Sequence, residues 1–500
     1  MKYEVLRKKY PRFVYEKYFW KILNGNLNIS FNFRIQPDIK FCPKVIIKNI
    51  EKDRVKRMGD RLLNNLVFHL GLIEVLSYWK ATCSPEIEIL AGSLNKKQIK
   101  WWQDLIMKGM GQFFYENKIN FQEPNFFNIK ANFMNQAMAE FVKLKKNLNQ
   151  NKNKVLVPVG GGKDSVVTLE LLKKAGKKIK CFSLNQTEAA QKIMKIAGCA
   201  KPIIVRREID PKLLELNRKG FLNGHTPFSA YLAFLSTLLA AIFDLKFISL
   251  SNERSSNEGN VKYLGQMINH QYSKSFDFEK KFREYSQKYL TSSVNYFSFL
   301  RPLYEIQIAK LFSKYPKYFD VFLSCNEAYK TYSGKKLPIR KCCGRCPKCL
   351  FVFTALYPFI EESELVKIFG KNLFEDPEGK PSASYRAGKK LLSIMKQLIG
   401  EEKFKPFECV GTKKESLIAF YFALRSFTQR RVRGKPIIKL PFLLEYFEKN
   451  ILPKYLNLAP DRTGSGAELE TESKKLMNSW DEQHNLPKTF EKVLKNVRGL

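Results

Sequence analysis

Residues Val155–Ser165 (VLVPVGGGKDS) combine glycines with a lysine, an aspartate and a serine, which is typical of a phosphate-binding loop. Glycines let the chain turn tightly and bring backbone N–H groups close to a ligand. A helix that starts directly after them adds free N–H groups and the positive end of its dipole. The spacing differs from both the Walker A loop and the dinucleotide fingerprint. The candidate phosphate contacts are Gly160, Gly161, Gly162, Lys163, Asp164 and Ser165.

A cluster of cysteines indicates a second kind of chemistry. Cys343, Cys346 and Cys349 are each separated by two residues, which is the spacing of a zinc knuckle. Cys325, after a predicted strand end, or the adjacent Cys342 supplies the fourth thiolate. Four thiolates close a tetrahedral site, so we expect a structural Zn²⁺ rather than disulfides.

Three polar runs lie between the glycine loop and the cysteines. They are Asn223–Pro227, Ser251–Asn260 and Asn269–Ser275, and they hold two of the 4 histidines of the chain, His225 and His270. Polar residues at the carboxyl ends of strands in an α/β sheet are typical of a ligand site. The alternative is that these runs are surface loops and helix caps.

The glycine loop resembles the PP-loop of the ATP pyrophosphatase superfamily, whose usual form is Ser-Gly-Gly-x-Asp-Ser. Gly160 stands in the place of the first serine, which removes one hydroxyl but keeps the backbone N–H. The resemblance implies cleavage of ATP to AMP and diphosphate with adenylation of a substrate. It also implies an adenine position near Ser183–Asn185, with Ser183 as a contact.

Several runs are similar to the UDP-N-acetylmuramoyl-L-alanyl-L-glutamate epimerase family, best over residues 154–352. They are NGHTPFSA, SNERSSNEGN, NHQYSKS, CGRCPKC and PFECVGT (Pro406–Thr412). The resemblance implies an ATP- and Mg²⁺-dependent inversion of a terminal L-Glu. The candidate acids and bases are then His225, His270 and Cys409, none of them assigned to a step.

The same resemblance implies an anionic substrate, a UDP-muramoyl dipeptide. Arg254 and Lys274 are the expected clamps for its anions, with Arg254 also a candidate in catalysis. Asn257, Glu258 and Tyr272 are the other candidate substrate contacts. As alternatives, His225 caps a helix and Cys409 is a buried, inert thiol.

The elements that must position these residues alternate between strand and helix from residue 154 to residue 250. This pattern predicts a doubly wound parallel α/β sheet. Lys145–Lys154 (KKNLNQNKNK) is predicted to be a linker. We therefore expect an α+β N-terminal domain (1–150), a PP-loop domain with the zinc knuckle (151–352) and a helical C-terminal domain (353–500).

Hydrophobic patterns predict three elements around the site. Phe13–Leu23 and Asn26–Ile35 flank Asn-Gly, which predicts a β-hairpin. Arg61–Trp79 is predicted to be a buried helix, with His69 packed in the core. Thr226–Phe243 carries no charge but contains Ser, Thr and Tyr, so a buried helix is favoured over a membrane span.

The chain of 500 residues carries 87 Lys and Arg against 47 Asp and Glu, a formal charge of +40. This favours anionic partners, although a biased genome composition would give the same surplus. Three alternatives therefore stay open. One is a PP-loop enzyme that modifies tRNA, the reading under which nucleic acid would be a partner. The others are a 7-cyano-7-deazaguanine synthase-like enzyme and a non-catalytic nucleotide-binding protein. No signal-peptide core is present at the N-terminus, so a cytoplasmic location is expected.

Overall fold

A computed structural model describes residues 1–132, 151–329, 342–375, 384–432, 439–456 and 467–498. The fold is α/β, as predicted. The strands are β1 (Arg12–Leu23), β2 (Asn26–Ile35), β3 (Ile39–Phe41), β4 (Lys44–Ile47), β5 (Glu86–Ser93), β6 (Asn128–Asn132), β7 (Asn151–Pro158), β8 (Lys178–Leu184), β9 (Ile203–Glu208), β10 (Leu245–Leu250), β11 (Val261–Tyr263), β12 (Gln266–Ile268) and β13 (Asn295–Ser298).

Helices flank these strands in the described part of the chain. They are α1 (Tyr3–Lys9), α2 (Lys52–Met58), α3 (Asp60–Trp79), α4 (Lys96–Gly109), α5 (Gly111–Glu116), α6 (Lys163–Lys174), α7 (Glu188–Ile196), α8 (Pro211–Arg218), α9 (Phe228–Ile242), α10 (Phe276–Tyr285), α11 (Glu305–Phe312), α12 (Pro347–Leu356), α13 (Glu362–Phe369), α14 (Ser384–Ile399), α15 (Lys413–Val432), α16 (Phe442–Tyr446), α17 (Pro453–Leu456), α18 (Ala467–Met477) and α19 (Lys488–Arg498).

Among the described residues, 11 strands form one mixed, mostly parallel sheet. Five parallel strands make up one half, in the order β13-β10-β7-β8-β9. The strand order therefore reverses between β7 and β10. In open α/β sheets a crevice forms outside the carboxyl ends of the strands at such a reversal. The glycine loop follows β7, so it lies at this crevice.

The other half of the sheet, in the order β4-β2-β1-β5-β6, joins the first through an antiparallel pairing of β4 with β9. The predicted parallel arrangement is confirmed for the strands of the first half, and the antiparallel junction that extends them into a mixed sheet was not predicted. A buried ion pair supports the junction: Arg207 of β9 contacts Glu74 of α3 with both arms of its guanidinium, at 2.7 and 2.8 Å. Because β4 pairs directly with β9, the sheet is continuous across the two sequence regions.

The predicted domain boundaries at residues 150 and 352 stay a prediction. Most of the predicted linker lies outside the described residues. The last part of the predicted linker, residues 151–154, is among the described residues, and β7 begins at Asn151. Residues 151–154 therefore belong to the sheet, which corrects the linker prediction there.

The predicted hairpin and the predicted buried helix with His69 are confirmed. β1 and β2 pair as an antiparallel hairpin, and Asn24 and Gly25 take the positive φ values, 49° and 68°, that a type I′ turn requires. His69 is buried in α3 and its ring nitrogens face Asn65 O and Tyr285 Oη at 2.8 and 3.0 Å. Burial lowers the pKa of His69 to about 4, so it is a neutral core residue.

The two faces of the parallel half carry separate hydrophobic cores. Leu156 of β7 packs into one core with α3 and α9, whereas Val155 and Val157 pack into the other with α6, α11 and α12. This alternation follows from the two-residue period of a strand. The apolar helix α9 is buried against α3, as predicted. In the described ranges, no helix is both long and apolar enough to cross a membrane.

A disulfide was not anticipated from the sequence. Cys181 of β8 is joined to Cys199, which follows α7, with 6.1 Å between the Cα atoms. The bond links a strand of the sheet to the turn after the helix that covers it.

Candidate active site

The glycine loop joins the end of β7 to the first turn of α6. Gly161 has a φ of 102°, which an L-residue with a Cβ adopts only under strain, so the turn needs glycine at this position. The Ser165 hydroxyl donates to Gly162 O at 2.8 Å inside the loop. Ser183 of β8 is buried and donates to Val159 O at 3.1 Å. The predicted phosphate and adenine contacts thus come together at the crevice.

Three carboxylates meet beside this loop. One oxygen from each of Asp164, Glu253 and Glu305 lies within 4.8 Å of the others, and the two glutamates are buried. The buried ammonium of Lys163 contacts both Asp164 and Glu305. The Lys348 ammonium lies 3.5 Å from Glu305 Oε1. Two lysines therefore compensate most of the negative charge of the cluster.

The two glutamates of this cluster have opposite pKa shifts. Burial, and then the charge of Glu305, raises the pKa of Glu253 to about 7. Burial opposes ionisation of Glu305 as well, but Lys163 and Lys348 outweigh it and lower its pKa to about 2. Glu305 is therefore ionised at neutral pH, whereas Glu253 keeps its proton to a higher pH than an ordinary glutamate does.

A cysteine and two histidines form a second cluster. The Cys409 Sγ lies 3.0 Å from Lys274 Nζ and 3.9 Å from His270 Nε2. The rings of His225 and His270 are 5.8 Å apart. Burial, followed by the charge of His270, lowers the pKa of His225 to about 3. Burial and then Lys274 place the pKa of His270 well below its usual range, so both imidazoles are neutral at pH 7.

Arg301 holds the loops between the two clusters. Its fully buried guanidinium donates to Glu253 O at 2.5 Å and to Ser256 Oγ at 3.0 Å, and it also contacts the backbone oxygen of Lys274. The same arginine therefore fixes the strand-end loop that carries Glu253 and the turn that carries Lys274. These bonds bring the carboxylate cluster and the thiol cluster into one site.

The other predicted substrate contacts have protein partners. Arg254 lies 3.3 Å from Asp481 and over the ring of Tyr304 at 4.5 Å. The Asn257 side chain accepts a bond from Phe276 N at 2.8 Å. Glu258 accepts bonds from Lys413 N at 3.2 Å and faces Lys405 Nζ at 3.4 Å.

A cavity of about 660 Å³ lies next to the segment that carries His270. Asn257 and Tyr272 line it, as do Asn269 and the basic residues Lys108 and Lys280. The Tyr272 hydroxyl donates to Asp277 Oδ2 at 2.9 Å. The cavity is large enough for a drug-sized ligand, and its lining carries these two lysines together with Asp277, which lies 3.4 Å from Lys108 Nζ.

The structure brings together the four cysteines of the predicted zinc site. The Sγ atoms of Cys325, Cys343, Cys346 and Cys349 all lie within 4.8 Å of one another, with Cys343 and Cys349 3.8 Å apart. A tetrahedral Zn²⁺ with bonds of about 2.3 Å needs an S–S separation of about 3.8 Å. The thiols therefore fit zinc in number, chemistry and spacing. Cys342 is not part of this group.

Comparison with known proteins identifies the family. The sequence profile described as "MurL N-terminal domain" matches residues 5–299, which is more than half of the chain. The profile described as "MurL C-terminal domain" matches residues 321–440. The chain belongs to the MurL family.

Three similar proteins are each named UDP-N-acetyl-alpha-D-muramoyl-L-alanyl-L-glutamate epimerase. The one from Xanthomonas oryzae pv. oryzae is 34% identical over 70% of this chain and 72% of its own length. The one from a Micromonospora species is 32% identical over 74% and 76%. The one from Salinispora tropica is 32% identical over 70% and 71%.

The candidate site draws on both MurL regions. The glycine loop, Glu253 and His270 lie in the N-terminal match, whereas Cys409 and the cysteines lie in the C-terminal match. A backbone bond joins the two: Leu323 N donates to Gly161 O at 2.7 Å.

The sequence did not predict a role for Glu305, Lys348 or Arg301. Glu253 and Asn260 lie in the polar run Ser251–Asn260, but no role was predicted for either residue. Two signals were available. Glu305 opens a helix shortly after β13, a strand of the parallel half, and strand ends of that half face the crevice. Lys348 lies inside the cysteine knuckle, which was interpreted as a metal site alone, and its side chain is buried.

Proposed function

We propose that this MurL-family chain epimerises the terminal L-Glu of UDP-N-acetylmuramoyl-L-Ala-L-Glu to D-Glu. The support for the substrate is the printed name shared by three relatives, each covered over more than two thirds of its length. The reaction uses ATP, forms an acyl-adenylate and releases AMP and diphosphate. The chain is then an isomerase of peptidoglycan precursor synthesis.

Adenylation explains how a carboxylate can be epimerised without a cofactor that stabilises carbanions. Removing the α-proton next to a carboxylate places negative charge beside existing negative charge. An acyl-adenylate removes that charge and leaves a carbonyl that accepts electrons from the α-carbon. A side chain of moderate basicity can then take the proton at neutral pH.

The glycine loop suits the triphosphate of ATP. The N-terminus of α6 supplies backbone N–H donors, and Lys163, whose buried ammonium contacts Asp164 and Glu305, holds these carboxylates beside the loop. The loop supports membership of the PP-loop ATP pyrophosphatase superfamily, and the 3-2-1-4-5 strand order of the parallel half suits that proposal.

Mg²⁺ fits the cluster of Asp164, Glu253 and Glu305, because carboxylate oxygens are its preferred protein ligands. Bound there, it would neutralise phosphate charge. Zn²⁺ fits Cys325, Cys343, Cys346 and Cys349, and a closed set of four thiolates gives it a structural role. We further propose that the enzyme acts in the cytoplasm.

His270, His225 and Cys409 are the proposed proton carriers. Burial lowers the pKa of both histidines, so each imidazole is neutral at pH 7 and has one ring nitrogen with a free lone pair, although its basicity is low in this state. The cavity beside His270, with Lys108 and Lys280, is the proposed position for the anionic part of the substrate.

One observation carries the proposal. The buried guanidinium of Arg301 donates to Glu253 O at 2.5 Å and contacts Lys274 O, so it ties the carboxylate cluster to the turn that lies beside Cys409. The group that would bind the nucleotide and the groups that would move a proton therefore share one site.

The test measures AMP and diphosphate release from Mg·ATP in three tubes, with UDP-N-acetylmuramoyl-L-Ala-L-Glu, with bulk tRNA and with no acceptor. Glutamate chirality is read from the same tubes. We expect AMP and D-Glu in the first tube alone. AMP that depends on tRNA, with glutamate unchanged, would replace the proposal with a tRNA-modifying activity.

A further inference from the structure

Cys409, His270 and Asn260 form a relay of three side chains. Asn260 Oδ1 accepts a bond from His270 N at 3.0 Å and faces His270 Nδ1 at 3.3 Å. The Asn260 amide nitrogen donates to Pro406 O at 2.8 Å, which fixes the orientation of the amide. His270 Nδ1 must then carry the proton, so the lone pair of Nε2 is free to face Cys409.

Lys274 contacts Cys409 directly. Its ammonium lies 3.0 Å from the sulfur, so a positive charge stands beside the atom that would attack an acyl group. The turn that carries Lys274 is held in place, because Lys274 O accepts bonds from Ser256 Oγ at 3.1 Å and from Arg301. Cys409 itself is only partly buried, so a substrate can reach it.

A cysteine, a neutral imidazole behind it and a side-chain amide behind the imidazole form an arrangement suited to nucleophilic attack on an acyl group. Proton transfer by a thiol also uses neighbouring groups, so the covalent role is distinguished by the adduct that it would form.

We propose that Cys409 takes the activated glutamyl group from the adenylate and holds it as a thioester while the α-carbon is inverted. This inference rests on the proposed adenylation. The sulfur bonds to the carbonyl carbon, the bond from that carbon to the phosphate oxygen breaks, and AMP leaves with the electron pair. The thiol proton passes to His270 Nε2.

Water is the only further reactant that the remaining steps need. The thioester, like the adenylate, has no carboxylate charge next to the α-carbon, so its α-proton can be removed and returned on the other face. Water then attacks the carbonyl carbon, the C–S bond breaks and the thiol is restored. The net consumption is one ATP and one water per turnover, as for the adenylate alone.

The test separates adenylation from thioester formation. Exchange of labelled diphosphate into ATP, in the presence of UDP-N-acetylmuramoyl-L-Ala-L-Glu, reports adenylation. The mass of the intact protein, in excess over substrate and quenched in acid during the first turnover, reports the adduct. For the wild type we expect exchange and an added mass equal to the substrate minus water, released by neutral hydroxylamine.

For Cys409→Ala we expect exchange within about twofold of the wild type, no hydroxylamine-sensitive adduct, and D-Glu formation reduced at least about 1000-fold. The matched control is Cys42→Ser, because Cys42 is an exposed thiol outside the site, and this variant should behave as the wild type. His270→Asn should form the adduct more slowly, with a rate that rises with pH as bulk solvent deprotonates the thiol.

Two results would overturn the inference. One is D-Glu formation by Cys409→Ala at a rate near that of the wild type. The other is D-Glu formation by the wild type without any adduct during the first turnover, which would leave Cys409 as a proton carrier. Absence of exchange in the wild type would instead refute the proposed adenylation, so the two failures are distinguishable.

Discussion

Leu323 donates its backbone N–H to the carbonyl oxygen of Gly161 at 2.7 Å. Leu323 lies two residues before Cys325, a member of the cysteine tetrad, and Gly161 is the residue of the glycine loop with the positive φ. A Cβ on Gly162 would also lie 3.7 Å from Ser324 Oγ. The segment that the tetrad anchors therefore forms one wall of the proposed nucleotide site.

Loss of zinc should weaken ATP binding. Cys343→Ser removes a thiolate of the tetrad, so we expect loss of bound zinc, a lower Tm and a KM for ATP at least about tenfold higher. Zinc content by a chromogenic chelator and ATP kinetics measure this. Cys342→Ser is the matched control, because Cys342 is adjacent to Cys343 in the chain but is not a member of the tetrad. Zinc loss in Cys342→Ser with retention in Cys325→Ser would reverse the assignment of the fourth ligand.

Two adjacent glycines should respond differently to a side chain. At Gly161 the φ of 102° makes alanine strained by about 1–2 kcal/mol, so Gly161→Ala should raise the KM for ATP about tenfold. At Gly160 a Cβ meets no atom within 4 Å, so Gly160→Ser should change the KM by less than about twofold. Steady-state kinetics at varied ATP check both. Equal effects would mean that the loop changes shape on binding.

The raised pKa of Glu253 predicts a pH effect on stability. Its folded pKa of about 7 exceeds its ordinary value of 4.5, so between these values the folded state binds more protons than the unfolded state. Stability from this group is present below about pH 4.5 and is lost as the pH rises through 7. Glu253→Gln should therefore gain stability relative to the wild type between about pH 5 and pH 8, measured by urea unfolding without divalent ions.

The same titration predicts how the site binds a cation. The ionised Glu253 is the form that ligates, so Mn²⁺ affinity, measured by electron paramagnetic resonance, should rise through about pH 7. In Glu253→Gln this rise should be absent. A pH-independent affinity in the wild type would place the cation elsewhere.

Removing one partner of the ion pair at the sheet junction should lower the stability of the fold. Glu74→Ala leaves the nearly buried guanidinium of Arg207 unpaired, which destabilises by about 3–5 kcal/mol. Glu88→Ala is the control, because the pair of Glu88 with Arg12 is partly exposed and worth about 0–1 kcal/mol. Chemical denaturation measures both. Similar values would show that solvent reaches the junction.

Local patterns predicted much of the fold. Asn24-Gly25 predicted the hairpin because only a few residue types accept its dihedral angles, and the apolar run of α9 predicted a buried helix because it carries no charge. The pairing of β4 with β9 was not predicted. It joins strands far apart in the chain, and register between distant strands leaves no local signal.

Two parts of the site were predictable because their functional residues are close together in the sequence. The glycine loop and the cysteine knuckle each lie within a short run, so spacing alone revealed them. Glu305, Lys348 and Arg301 come from separate segments that only the folded chain assembles. Single glutamates, lysines and arginines are also common on surfaces, so nothing in the sequence distinguished the buried ones.

The antiparallel junction affects how the chain is made. β4 leaves the ribosome about 160 residues before β9, its partner. At about 5–20 residues per second, the edge of β4 stays unpaired for roughly 8–30 s. An unpaired strand edge is a template for association with other chains. We therefore expect a fragment that ends before β9 to expose this edge and to self-associate, which light scattering would measure.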